Sequence, residues 1–294
     1  MDIIDAQVHG FYSLDEGQLI AVMDALGIQG LLMDELWRHT EEGYAWPYQV
    51  VGGVRRPVAP RAQAAAITHP DRFAFMQRLA WRDPQLPSLF SVLGNTPGCR
   101  GVRMNLKSKE DREALAGGGC DEVMQLAGRY DLAVCILIHG QNAPALMSKL
   151  LARFPDVRFV MDHCGNPKSA AQWTEILKLS ALPNLWLKWC HAAHCFEPDE
   201  YPFRKHQDEL VNAISAFGAH RILWASDITH ERSGAKWGQL LHYVLDCPSI
   251  STEDKEWLLG KSARTVFKWA RPEPTGASLE AGSKEDAHQP TTTA

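Results

Sequence analysis

The chain has 294 residues, 45% of them hydrophobic, and a formal net charge of −5 at pH 7. This length can bury one large core and is in the usual size range of a single β/α barrel. The charge and the lack of a local Lys and Arg cluster exclude a basic surface for nucleic acid. No apolar stretch reaches the roughly 18 residues needed to cross a bilayer, and the N-terminus has no signal-peptide pattern. We therefore expect a cytoplasmic protein without a membrane partner.

Short apolar runs alternate with helix-like stretches along the chain. This alternation is typical of βα units and of a parallel sheet. Eight runs are predicted as strands, at residues 3–9, 30–33, 73–79, 101–105, 133–139, 158–162, 185–189 and 222–225. The sequence therefore predicts a single (β/α)8 TIM barrel over residues 1–270.

The predicted helices have recognisable end signals. Ser13 is predicted to cap a helix over residues 14–26, with Glu16 completing a capping box three residues on. Ser251 precedes a stretch over residues 253–269 with an amphipathic pattern. We expect each helix to lay its apolar face on the sheet.

Two segments depart from the regular alternation. Residues 37–70 are rich in Gly, Pro, Arg and aromatics and interrupt the unit after the second strand. Long connections in compact domains are usually functional or disordered, and the aromatics favour an extended loop that forms an ordered flap over the barrel mouth. Residues 271–294 have almost no apolar side chains, and this composition predicts a disordered C-terminal tail.

Polar or ionisable side chains stand at the carboxyl ends of four predicted strands. Gln7 and His9 lie in the first strand, His139 ends the fifth, His163 follows the sixth and Asp227 follows the eighth. A β/α barrel builds its active site from the residues at these strand ends. Residues two apart in a strand point to the same side, so Gln7 and His9 share a face. We predict that the three histidines and the aspartate form one catalytic cluster, with Gln7 beside them in contact with substrate.

Other side chains near the predicted strand ends are candidates for substrate binding. Arg103 ends the fourth strand, Arg55 lies in the flap and Lys188 lies near the end of the seventh strand. Arginine can hold a carboxylate through two parallel hydrogen bonds, so the set favours a small anionic or polyhydroxylated substrate. His191 and His194 follow the seventh strand and are candidates to line the pocket. The alternative for all five is an ordinary solvated surface position.

The order and spacing of these motifs resemble the amidohydrolase superfamily, in the branch of lactonases and aminocarboxymuconate-semialdehyde-type decarboxylases. The resemblance covers residues 3–269. It is carried by Asp-x-Gln-x-His at 5–9, His139, Asp-His-Cys-Gly-Asn-Pro at 162–167, Asp227 and the closing segment 259–267. The resemblance implies a β/α-barrel enzyme that acts on a small molecule.

The first-strand motif departs from the metal-dependent members that the chain resembles. Those members present His-x-His or Glu-x-His, whereas this chain has Gln7, and a neutral amide is a poorer metal ligand. Two alternatives therefore stay open. His9, His139 and Asp227 bind one divalent ion, zinc before manganese, with water in an open position. Alternatively, Asp227 acts as the base without a metal, as in lactonases that resemble this chain.

The leading hypothesis is hydrolysis of a small lactone. Asp227 would accept a proton from the attacking water, while His9, His139 and His163 polarise the carbonyl and stabilise the oxyanion. A first alternative is a metal-dependent, non-oxidative decarboxylase of an aromatic or muconate-type acid, against which Gln7 counts. A second is a binding or regulatory protein on a decayed barrel. The oligomeric state stays open, a homodimer included.

Overall fold

The structure is a computed structural model that describes residues 1–9, 14–35, 38–40, 43–45, 47–231 and 233–271, with the backbone alone for 38–40 and 43–45. Apart from Arg271, the predicted tail lies outside the described residues. Ser13, the predicted helix cap, also lies outside them.

The centre of the fold is a barrel of parallel strands. The described residues contain β1 (Ile3–Val8), β2 (Ile28–Asp34), β3 (Arg38–Thr40), β4 (Gly43–Ala45), β5 (Tyr48–Val51), β6 (Val54–Pro57), β7 (Phe73–Arg78), β8 (Cys99–Leu106), β9 (Ala133–Ile138), β10 (Phe159–Met161), β11 (Leu185–Trp189) and β12 (Ile222–Trp224). One parallel sheet holds eight of them in the order β1, β2, β7, β8, β9, β10, β11, β12. The N–H of Asp227 donates to the carbonyl of Gln7 at 3.0 Å, which brings the last strand beside the first. The eight predicted strands are confirmed to within two residues at either end, and so is the barrel.

Helices connect the strands and surround the barrel. They are α1 (Glu16–Leu26), α2 (Pro60–Thr68), α3 (Leu86–Asn95), α4 (Lys109–Gly117), α5 (Asp121–Arg129), α6 (Ala143–Arg153), α7 (Ala170–Lys178), α8 (Ala192–Cys195), α9 (Arg204–Phe217), α10 (Trp237–Leu245), α11 (Thr252–Glu256) and α12 (Ser262–Val266). These helices cover the outer face of the strands, and side chains from the strands themselves fill the inner face, which explains why the strand sequences are apolar almost throughout. Within the described ranges, no helix is both long and apolar enough to span a bilayer.

Two helix predictions need correction at their ends. Helix α1 begins at Glu16 and is capped by Asp15: the Asp15 carboxylate accepts from the N–H of Gln18 at 2.8 Å, and Gln18 Oε1 accepts from the N–H of Asp15 at 3.0 Å. Ser251 caps α11. The predicted continuous helix to residue 269 is instead interrupted by a π-helical turn over Trp257–Lys261 and ends at Val266.

The segment predicted as an extended loop after β2 contains regular structure where it is described. Strands β3 and β4 form one antiparallel hairpin, β5 and β6 form a second, and α2 follows. Arg56 in β6 donates from Nη2 to Asp83 Oδ1 at 2.7 Å, and Gln77 donates to the carbonyl of Pro57 at 2.7 Å. Asp83 follows β7 and Gln77 lies near its carboxyl end. The second hairpin is therefore anchored on the same end of the barrel as the predicted catalytic residues.

The interior of the barrel is closed at the amino-terminal end of the strands. Apolar side chains from alternate positions, such as Ile4 and Leu32, pack in one cluster with Phe267 and Trp269. A Cβ atom at Gly30 would lie 2.6 Å from the Trp269 ring, so the indole can pack there only because residue 30 is glycine. Because the C-terminal segment fills this end, an opening to the barrel lies at the carboxyl ends of the strands.

Candidate active site

A cavity of about 220 Å³ lies at the carboxyl ends of the barrel strands. Its lining residues come from the strand ends and the segments that follow them: His9, Arg78, Arg103, Asn105, Lys107, Leu137, His139, His163, Asn166, His191, His194, Cys195, Asp227 and His230. The four predicted catalytic residues, His9, His139, His163 and Asp227, therefore come together from four separate strands. The predicted pocket histidines His191 and His194 lie in the same wall.

Asp227 lies at the centre of this cluster, with its side chain 1% exposed. Its Oδ2 accepts from Gln7 Nε2 at 2.9 Å and lies 2.9 Å from His191 Nε2. Its Oδ1 lies 3.1 Å from His9 Nε2 but makes no aligned hydrogen bond within the described residues. The backbone of Asp227 has a φ of 45°, a left-handed conformation that costs energy in a non-glycine residue. One carboxylate oxygen is thus anchored, and the other faces the cavity wall formed by His9.

The charges of the cluster follow from burial and from the neighbours of each group. Burial raises the pKa of Asp227, but the charge of His9 and the hydrogen bond from His191 outweigh it and hold this pKa well below its usual value. Burial lowers the pKa of His191, but Asp227 and Glu231 raise it to about 10. Burial also keeps the pKa of His163 well below 6.5. At neutral pH the site therefore holds an ionised Asp227, a charged His191 and a neutral His163.

His139 is neutral for a related reason. Burial, with the nearby positive charges of Lys107, Lys168 and Arg112, lowers its pKa from 6.5 to about 4. In the unfolded chain His139 takes up a proton below pH 6.5, whereas in the folded protein it does so only below pH 4. The contribution of His139 to the free energy of unfolding is therefore lost as the pH falls from 6.5 to 4.

We expect His139→Asn to show a smaller loss of stability between pH 7 and pH 4.5 than the wild type, because asparagine does not titrate. Urea unfolding of both proteins at the two pH values measures the difference. His242→Asn, at a half-exposed position in α10, is the matched control and should keep the wild-type pH dependence. Equal losses in His139→Asn and the wild type would contradict the assignment.

Gln7 connects Asp227 to a buried lysine. Lys188 donates from Nζ to Gln7 Oε1 at 2.8 Å, and Gln7 donates from Nε2 to Asp227 at 2.9 Å. These two bonds require an acceptor facing Lys188 and a donor facing Asp227. The amide of Gln7 supplies both, whereas a carboxylate only accepts and an imidazole holds its donor and acceptor at different positions. The amide N–H that was predicted to contact substrate is directed to Asp227 instead, and Gln7 is not among the residues that line the cavity.

At the base of the cavity, a chain of buried charges links five strands of the barrel. Lys188 Nζ lies 2.7 Å from Asp162 Oδ1, and Arg103 donates from Nε to Asp162 Oδ2 at 2.6 Å. Arg103 also donates from Nη1 to Asp34, which accepts from Arg78 Nε at 2.7 Å. Burial raises the pKa of Asp34, but the two guanidinium groups lower it to about 2. Each of these charges has an opposite partner, as burial requires.

The contacts of three predicted substrate-binding residues change their interpretation. Arg103 lines the cavity, but its Nε and Nη1 are used by aspartates, and its Nη2 lies 3.5 Å from His163 Nε2. The two parallel donors expected to grip a substrate carboxylate are thus already paired. Lys188 is fully buried and does not line the cavity. Arg55 is exposed on β6, where its guanidinium lies 4.8 Å from the Tyr48 ring, and it does not line the cavity either.

Several lining residues were missed by the sequence reasoning. Arg78 ends β7 and Asn105 and Lys107 lie at the end of β8, so the strand-end rule could have found them if applied to all eight strands. Asn166 lies within the Asp-His-Cys-Gly-Asn-Pro motif. Asn105 Oδ1 and Asn166 Nδ2 are buried and make no hydrogen bond within the described residues. A buried acceptor and a buried donor in a cavity wall are candidates to bind a ligand.

Two groups of side chains in the described residues could hold a metal ion. The ligand atoms of His163, His191 and Asp227 lie within 4.8 Å of one another, and so do those of His191, His194 and Glu231. The predicted set of His9, His139 and Asp227 does not form such a group. His9 and Asp227 are adjacent, but His139 does not approach them closely enough.

An eight-stranded β/α barrel with a cavity of histidines and an aspartate at the carboxyl ends of its strands has the architecture of an enzyme site. The family model described as amidohydrolase matches residues 61–269. The chain belongs to the amidohydrolase family and is an enzyme of this hydrolase class.

Solved structures share the barrel across most of the chain. An amidohydrolase from Burkholderia multivorans with bound zinc has 16% identity and a TM-score of 0.73, over 91% of this chain and 99% of that one. A candidate 2-pyrone-4,6-dicarboxylic acid hydrolase from Pseudomonas putida has 20% identity and a TM-score of 0.71, over 91% and 98%. A dihydroxybenzoic acid decarboxylase from a Polaromonas species, with manganese and the inhibitor 2-nitroresorcinol, has 15% identity and a TM-score of 0.63, over 91% and 97%. These identities establish the fold alone. Among curated proteins, none matches the chain significantly.

Proposed function

We propose that the protein hydrolyses a small lactone that carries a carboxylate. The observation that carries this proposal is an ionised Asp227, whose Oδ2 accepts from Gln7 and whose Oδ1 makes no hydrogen bond among the described residues, in a small cavity lined mainly by histidines and cationic side chains. The candidate pyrone-dicarboxylate hydrolase, which has the same barrel, is consistent with it.

The cationic wall favours an anionic substrate. Arg78, Arg103 and Lys107 line one part of the cavity. Burial and the positive charges of Arg103 and Arg78 lower the pKa of Lys107. A carboxylate bound there would reduce this repulsion and gain charge-assisted hydrogen bonds. The volume of about 220 Å³ is small for a ligand pocket and suits a single ring.

Asp227 Oδ1 is the proposed acceptor of the water proton. Gln7 and His191 hold Oδ2, so the carboxylate keeps its orientation while Oδ1 accepts. The water oxygen forms a bond to the lactone carbonyl carbon, and the ring C–O bond then breaks. The proton passes from Asp227 to the leaving oxygen of the ring, so the base is regenerated.

The histidines stabilise the oxyanion of the tetrahedral intermediate. His191 carries a positive charge beside Asp227, and His163 lies with its ring centroid 4.8 Å from that of His191. Positive charge and directed N–H groups stabilise an oxyanion more strongly in a protein cavity of low dielectric constant than in solution. Asn105 and Asn166 offer an acceptor and a donor to the rest of the substrate.

The donor set His163, His191 and Asp227 fits a divalent ion of the kind bound in two of the structures above. Two imidazoles and one carboxylate are a usual ligand set for catalytic zinc. The 2.9 Å hydrogen bond between His191 Nε2 and Asp227 Oδ2 would have to give way to ligation. When bound, such an ion supplies a Lewis acid and lowers the pKa of water. The decarboxylase alternative depends on this set.

We expect Lys107→Gln to lower kcat/KM for a carboxylated lactone by about tenfold, the loss of one charge-assisted hydrogen bond. The kcat/KM for a neutral sugar lactone should change little. Pyrone carboxylates and sugar lactones, assayed side by side by release of acid, provide the measurement. Lys109→Gln, two residues away with its side chain 83% exposed, is the matched control. An equal loss on both substrate classes would contradict a carboxylate contact at Lys107.

A further inference from the structure

His191 presents its two ring nitrogens to two different carboxylates. Its Nε2 lies 2.9 Å from Asp227 Oδ2, an ordinary hydrogen-bond distance. Its Nδ1 lies 3.7 Å from Glu231 Oε2, and although it is buried it makes no hydrogen bond within the described residues. Buried polar atoms almost always have a partner. Nδ1 of His191 and Oε2 of Glu231 thus face each other at a distance too long for a hydrogen bond, which leaves this nitrogen as a candidate ligand atom.

The spacing on this side suits a metal ion. Two ligands at about 2.1 Å from one tetrahedral zinc ion lie roughly 3.4 Å apart. The 3.7 Å between His191 Nδ1 and Glu231 Oε2 is close to that value. His194 completes the group: the three ligand atoms lie within 4.8 Å of one another, and the two rings are 4.9 Å apart at their centroids. Small side-chain movements would place all three around one ion.

The donors are also held in position. The Glu231 side chain is 3% exposed, and its Oε1 accepts from the N–H of Ser233 at 2.6 Å, which leaves Oε2 toward His191. His191 is fixed by Asp227 from its other edge. His194 is exposed in α8, so a fourth position on the ion would face water. Two imidazoles, one carboxylate and one water form a usual zinc coordination.

We propose that His191, His194 and Glu231 form a zinc site at the rim of the cavity, here called the rim site. It differs from the group of His163, His191 and Asp227 in using the other nitrogen of the shared ring. Ligation through Nδ1 displaces the proton that His191 carries there at neutral pH and leaves the Nε2–H for Asp227, while the ion supplies the positive charge that the ring gives up. An ion in the rim site would join two walls of the cavity mouth, α8 and the segment after β12. It would also fix the His191 ring against the Asp227 carboxylate.

Zinc titration of the full chain by calorimetry tests the rim site. His194→Ala and Glu231→Gln should each weaken zinc binding by at least about tenfold. His163→Asn should bind zinc as the wild type does, because it removes a donor only from the other group. His242→Ala, a half-exposed histidine outside both groups, is the control for histidine number. The absorption spectrum of bound cobalt(II), which reports ligand number, should change in the two rim variants and not in the controls.

Loss of binding in His163→Asn with retention in both rim variants would place the ion on the Asp227 group and overturn the proposal. Loss in all three, loss in only one rim variant, or no zinc binding by the wild type at about 100 μM would overturn it as well. Melting temperatures without zinc check that the variants fold. If His194→Ala unfolds, His194→Gln takes its place in the same comparison.

Discussion

Asp227→Asn is expected to lower kcat for lactone hydrolysis by about 10²- to 10⁴-fold, the usual range for loss of a general base. Asparagine keeps the shape of the side chain and can still accept from Gln7 Nε2, which donates to Oδ2 at 2.9 Å. It cannot take up the water proton, because an amide oxygen is far less basic than a carboxylate. Steady-state kinetics with circular dichroism separates catalysis from folding.

Asp5→Asn is the control for loss of a buried carboxylate near the same strand ends. Asp5 is fully buried and bonded to the N–H of Ser226 and to Trp237 Nε1, and it does not line the cavity. Its removal should change kcat by less than about tenfold, within the range of indirect effects. A kcat near wild type in Asp227→Asn, or equal losses in the two variants, would contradict Asp227 as the base.

Asp34→Asn is expected to lower the free energy of unfolding by about 3–5 kcal/mol, the usual cost of removing one partner from a buried ionic group. The neutral amide would leave Arg78 and Arg103 with too little negative charge, although both are buried. The pH dependence of the free energy of unfolding at acid pH should also depend on Asp34. The pKa of Asp34 is lowered to about 2, so its contribution is present above pH 3.8 and is lost as the pH falls through 2.

Urea unfolding at pH 7 measures this difference. Asp24→Asn removes an aspartate from a surface pair with Arg72, in which the Asp24 side chain is 61% exposed. In this control the free energy of unfolding should fall by less than about 1 kcal/mol. A loss in Asp34→Asn no larger than that of the control would show that the buried network does not stabilise the barrel.

The strands and the position of the site could be predicted because both depend on local sequence. A buried parallel strand is a short apolar run in the sequence. A polar residue at its carboxyl end, such as His9 or Asp227, lies at the end of the barrel where active sites are found. The convergence of four strand ends then follows from the closed geometry of the barrel, without any knowledge of individual contacts.

The roles of Arg103 and Gln7 could not be predicted because they depend on pairing between distant strands. Arg103 lies opposite Arg78 in the register of β7 and β8, which brings both guanidinium groups to Asp34. Gln7 meets Lys188, 181 residues away. Neither the spacing nor the composition of the chain indicates such partners, so a buried ion pair and a substrate-binding arginine give the same sequence signal.

The segment after β2 and the closing helix show that local composition does not predict every element of secondary structure. The composition of residues 37–70 predicts a connection of unusual length, but the pairing of β5 with β6 is set by a turn at Gly52 and Gly53, both with positive φ. In the closing helix the π-helical turn brings Gly260 against the carbonyl of Asp2, where no Cβ fits. That tertiary contact overrides the regular helical pattern.

We expect the cavity to open a carboxylated lactone by water attack. The most direct measurement is the product balance of the wild-type protein, both stripped of metal and reloaded with zinc or manganese, on a panel of pyrone carboxylates, muconolactones, muconate-type acids and hydroxylated benzoic acids, with acid release and carbon dioxide followed together. Lactone hydrolysis should yield one new carboxylic acid per lactone opened and no carbon dioxide. Carbon dioxide release from a benzoic or muconate-type acid, with no ring opening of any lactone, would contradict it.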